Sequence, residues 1–127
     1  VNKTLPYLEW AALSLDLQRN TALAVIEQNP DMGWRAGFAA YLEENMVVVV
    51  RCIREAKAVR VRHHHYSMRT IVEFIRHQTK TYEAASQFKI NNNMAPDIAR
   101  LAMLLVTELE GMFELRSNEL RDLAGAA

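Results

Sequence analysis

Residues 34–57 read WRAGFAAYLEENMVVVVRCIREAK, and the fold class turns on how the four consecutive valines are taken. Val47, Val48, Val49 and Val50 have strong β propensity, because branched side chains suit a pleated, half-buried surface. Around them, however, Trp34, Phe38, Tyr41, Leu42, Val48 or Val49, Cys52, Ile53 and Ala56 recur at spacings of three and four, the period of one helix face. A pattern sustained over that length outweighs the propensity of four residues. The stretch is therefore read as one long helix, or as two joined near Asn45. It sets the fold class as mostly α: a compact helical domain with room for one small β-hairpin.

The flanking segments continue the theme. Upstream, Leu5, Leu8, Ala12 and Leu15, then Ala22, Leu23, Val25 and Ile26, predict two helices with a break at Arg19-Asn20-Thr21. Thr4 is the expected cap, and Pro6 is tolerable in a first turn. Residues 13–18 also alternate with period two, so a short strand is the rival there. Asn29-Pro30-Asp31 stops the chain, since proline disfavours helix in the residue before it.

Downstream, residues 59–66 alternate apolar or aromatic with basic side chains, a short strand or extended connector. Ser67 then caps a helix to about Thr79, with Met68, Ile71, Val72 and Ile75 on one side and Arg69, Glu73, Arg76 and Lys80 elsewhere. A loop over 81–87 leads to Phe88-Lys89-Ile90, an expected edge strand. Asn91-Asn92-Asn93 suits a turn and cap. Ile98, Leu101, Ala102, Leu104 and Leu105 mark a buried helix with Pro96 in its first turn. Gly111 and Phe113 lead to a last short helix over 117–123.

The totals bound the class. At 127 residues, half of them apolar, residues 1–127 fit one domain with one core. Gly and Pro together number 7, which argues against disorder. The single cysteine, Cys52, cannot form an internal disulfide, so a reducing cytoplasm is the expected location. The apolar run at residues 46–50 is far short of a membrane span, and Glu9 and Asp16 interrupt any secretory signal. Asn2-Lys3-Thr4 fits a glycosylation acceptor by chance alone in a chain that is not secreted.

Net charge is zero, from 15 basic and 15 acidic residues, but it is unevenly placed. Over 51–80 the basic residues are Arg51, Arg54, Lys57, Arg60, Arg62, Arg69, Arg76 and Lys80, against Glu55 and Glu73, a surplus of six. The remainder carries the opposite surplus, and all four histidines lie in the basic segment. Such asymmetry points to an anionic partner, or to self-association of a basic face with an acidic one.

One ordered set of short motifs stands out in the second half: His65-Tyr66-Ser67, then Ile75-Arg76, then Phe88-Lys89-Ile90-Asn91-Asn92-Asn93, then Ala99-Arg100, then Phe113 with Arg116. In that order, after an upstream Asn29-Pro30, it resembles the signature of a family of small proteins encoded in phage, prophage and bacterial genomes. The segment between Asn29-Pro30 and His65 is longer here than in that pattern, and the loop before Phe88 lacks its glycine. The resemblance implies a phage-associated context, not a mechanism.

The residues themselves suggest nucleic-acid binding. The helix over 67–79, a connector with a two-stranded wing, and the helix over 94–105 would make the C-terminal half a divergent helix-turn-helix or winged-helix-like unit, although the connector is long for a simple one. Arg60, Arg62, Arg69, Arg76, His77, Lys80 and Lys89 would meet phosphates of DNA or RNA, and Asn91, Asn92 and Asn93 bases or backbone. The structural alternative is solvated or paired arginines and asparagines that only build a turn. The competing function is a phage assembly or host-modulating factor that self-associates into a homo-oligomer, with Trp10, Trp34, Phe38 and Tyr41 as anchors or, as their spacing more often means, as core.

No metal or cofactor is expected. Adjacent histidines point to opposite faces of an extended chain, so of His63, His64 and His65 only the first and last share one. Nor is an enzyme expected: Cys52 falls on an apolar helix face, Glu43-Glu44 and Glu108 with Glu110 read as wetted surface, and no phosphate loop, dinucleotide fingerprint or zinc-protease motif is present.

Overall fold

The computed structural model describes residues 4–63, 66–79 and 92–113. Five α-helices follow in order: α1 (Tyr7–Ala12), α2 (Leu15–Gln28), α3 (Phe38–Arg60), α4 (Met68–Thr79) and α5 (Ala95–Leu105). Single 3-10 turns occupy Pro30–Met32, Asn92–Met94 and Thr107–Leu109. The protein is mostly helical and compact, and among the described residues the one β pairing is an isolated parallel bridge between Leu5 and Val106. The expected edge strand at Phe88-Lys89-Ile90 and the last helix over 117–123 lie outside the described residues.

The valine run is helical. Val48 and Val49 point into the core and Val47 out of it, so the helical period decides where each branched side chain goes. Asn45 has non-helical dihedrals inside α3, and its amide donates to the Tyr41 carbonyl at 3.2 Å. An asparagine that bonds back one turn competes with the backbone ladder, which accounts for a kink at this residue.

Four expectations need correction. The break near the start falls at Leu13-Ser14, not at Arg19-Asn20-Thr21: Leu13 is extended, and Ser14 caps α2 by accepting from the Leu17 amide at 3.2 Å. With that cap in place, residues 15–18 are helix and not strand. Thr4 does not cap α1. Its hydroxyl lies 2.8 Å from that of Thr107, while the Glu108 carboxylate accepts from the Tyr7 amide at 2.9 Å, putting a negative charge at an exposed helix N-terminus. Residues 59 and 60 end α3, and Val61 and Arg62 form a turn, so the alternation there is not a strand.

The core is continuous from Trp10 to Phe113. In that framework α2 and α5 pack on each other and on α3, and α4 covers α3 and α5. Leu8 and Leu15, expected inside, are exposed, Leu8 by 80%; Trp10 is the buried residue of α1. Trp34 precedes α3 and stacks on Phe38 at 5.7 Å between ring centres, and Phe38 on Tyr41 at 6.4 Å. These rings build core.

One charged pair lies within it. Asp97 and Arg100, one turn apart on α5, form a salt bridge with side chains 2% and 1% exposed. The second Asp97 oxygen accepts from the Arg35 amide at 2.8 Å. The carboxylate thus ties the start of α5 to the chain entering α3, in the first turn of a helix where the backbone dipole favours an anion.

Candidate nucleic-acid interface

The basic segment becomes two neighbouring helices. Ser67 starts α4 as expected, its hydroxyl accepting from the Thr70 amide at 3.4 Å. Burial of Met68, Ile71, Val72 and Ile75 fixes the inward face of α4, and the rest of the helix turns outward by its period. Arg51 of α3 donates to the Gln78 side chain of α4. Arg51 lies about 14 Å before the end of α3 and Gln78 about 15 Å beyond the start of α4, so the two helices run antiparallel, side by side.

The structure sorts the cations into two groups. Some are engaged within the fold: Arg60 donates to the Glu110 carbonyl at 3.1 Å, Lys57 sits 5.9 Å above the Tyr7 ring, and Arg76 pairs with Glu73 at 2.8 Å. Arg51, half-buried, bridges to α4. Arg54, Arg62 and Arg69 are exposed, as are His63 and His77. Part of this basicity serves α3 itself, since cations in the last turn complement the helix dipole; Lys57 and Arg60 are the residues so placed.

Asn92 and Asn93 lie in the 3-10 turn that leads into α5, and Asn93 is exposed. Lys80, Lys89 and Asn91 lie outside the described residues, as do His64, His65 and the segment expected to form a wing. His63 packs against Tyr66, ring centres 5.4 Å apart and tilted by 40°. Among the described residues no three metal-ligating side chains converge, and no helix is long and apolar enough to cross a membrane.

Phe74 was not among the candidates from sequence. It is 48% exposed and sits on α4 between Glu73 and His77, one turn before Gln78 and off the apolar stripe. That displacement is its signal: four other apolar side chains of α4 keep the inward spacing, and this one breaks it.

Cys52 is fully buried. Burial pushes its thiol up to about 12, against the opposing pull of Arg51, with Glu55 adding to the rise. At pH 8 only ~1 in 10⁴ molecules would carry the reactive thiolate. Labelling by a thiol reagent is expected to be orders of magnitude slower in the native protein than in urea; equal rates would show that the α3 core opens readily.

No known protein family, curated protein or solved structure matches the chain.

Proposed function

We propose that this chain is a small, non-catalytic, phage-associated protein that binds nucleic acid through the outward side of α3 and α4. The observation that carries the reading is the exposure of Arg54 on α3, of Arg69 and His77 on α4, and of Arg62 and His63 in the connection between them. Arginines held on a rigid scaffold and open to solvent meet phosphates without having to break internal bonds. The acidic surplus lies outside residues 51–80 in the sequence, so zero net charge does not by itself argue against a polyanion partner.

The test is a fluorescence anisotropy titration against duplex and single-stranded DNA and RNA at two salt concentrations. If about six phosphates are neutralised, the log-log salt slope is about −5 on B-DNA. Replacing Arg54, Arg62 and Arg69 together by alanine should weaken binding uniformly across sequences and flatten the slope by about 2 to 3. Absence of binding at low salt would sink the reading.

A second reading is self-association. Leu8, Leu15 and Leu17 are exposed at the α1–α2 corner beside Glu9 and Asp16, an apolar and acidic surface complementary to the basic helix pair of another copy. Its sign is concentration-dependent sedimentation that salt weakens with no nucleic acid present.

A further inference from the structure

We infer that residues 4–12 exchange between two copies of this chain, with Leu13-Ser14 as the hinge, giving a dimer in which α1 and α2 run on as one helix. The inference is independent of what α3 and α4 bind.

Little in the local sequence enforces the break between α1 and α2. Residues 7–28 contain neither glycine nor proline, the residues whose own backbone ends a helix. Leu13 and Ser14 are extended, with φ and ψ of −72° and 147° and of −64° and 160°. The side-chain bond at the interruption is the 3.2 Å contact from the Leu17 amide to the Ser14 hydroxyl, which is exposed. What holds α1 in place is the body of the protein: Leu5 bonds to residues 105 and 107, Glu108 accepts from the Tyr7 amide, and Trp10 is buried. A second copy presents the same partners, so every one of these contacts can be made between chains as well as within one.

Exchange also answers an exposure that the single copy leaves. Leu8 is 80% exposed, and Ala11, Ala12 and Leu15 are exposed with it. In a helix continued through residues 13 and 14, Leu8, Ala11 and Leu15 fall three and four apart, in line with Gln18, Ala22 and Val25, the buried residues of α2. Trp10 falls on the other side of that helix, where it can enter the second copy. Straightening the hinge turns α1 away from its present site, and residues 4–12 of the second copy fill it.

The experiment refolds the full chain from urea at low and high protein concentration and separates monomer from dimer by size-exclusion chromatography. Ser14→Ala removes the cap and installs the strongest helix former. It should raise the dimer association constant about 25-fold, roughly fivefold for each of two hinges. Ser14→Pro should abolish the dimer, because proline fits the hinge angles and the extended Leu13 before it but not a helix interior; circular dichroism should show its monomer folded. A third variant, Thr4→Cys with Thr107→Cys, puts thiols where hydroxyls lie 2.8 Å apart. Oxidised as dimer it should run as covalently joined chains on a non-reducing gel, and oxidised as monomer as one internally closed chain. A dimer that yields only internally closed chains, a dimer of Ser14→Pro, or no gain of dimer in Ser14→Ala would overturn the inference. So would a dimer that salt disperses, which would favour the charge pairing of the second reading instead.

Discussion

Replacing Asp97 with alanine is expected to lower the melting temperature by roughly 10 to 20 °C, for a loss of about 3 to 5 kcal/mol. The magnitude follows from what remains. Arg100 is 1% exposed, and without the carboxylate its guanidinium stays in the core having lost the Asp97 contact. Removing one partner of a buried pair is far more damaging than its net contribution suggests, because the other ion keeps its desolvation penalty. The Arg35 amide loses its acceptor as well. Asp97→Asn should fall between, since the amide oxygen can still accept from Arg35 but carries no charge. Urea and thermal unfolding followed by circular dichroism measure this; a loss below about 1 kcal/mol for the alanine variant would show that the pair adds little to stability.

The second large effect is expected from Trp10→Ala. Trp10 is the buried side chain of α1, and its carbonyl also accepts from the buried Gln18 amide at 3.1 Å. Deleting an indole from a packed site costs about 3 to 5 kcal/mol, which here would appear as a matching fall in unfolding free energy in urea. Binding to the α3–α4 face should persist at temperatures where the variant is folded. A change below about 1 kcal/mol would mean that α1 opens independently of the rest, a local unit in place of a cooperative one.

What could be read from sequence was mostly what local periodicity controls. The α3 stretch, the interruption at Asn45, the Ser67 start and Thr79 end of α4, and Pro96 in the first turn of α5 all follow from side-chain spacing and capping chemistry within a few residues. The errors have one origin. Glu108 as the cap of α1 joins residues 101 apart in the chain, and no local pattern announces it. Leu8 and Leu15 fit an apolar stripe, but Trp10 takes the inward position of a helix only 6 residues long. In α4 the inward stripe was legible, but Phe74, the apolar residue off that stripe, was missed although its spacing sets it apart. The sequence also could not separate Arg60 and Arg76, which have internal partners, from Arg54, Arg62 and Arg69, because charge says nothing of direction.

The clasp between residues 4–7 and 105–108 has a kinetic consequence. Leu5 donates to the Leu105 carbonyl at 2.8 Å and accepts from the Thr107 amide at 2.9 Å, so these contacts close a loop of about a hundred residues. In an unfolded chain that closure carries its full entropy penalty, whereas once α2, α3 and α5 have packed the two segments are already neighbours. The clasp therefore forms late on the way to the native state.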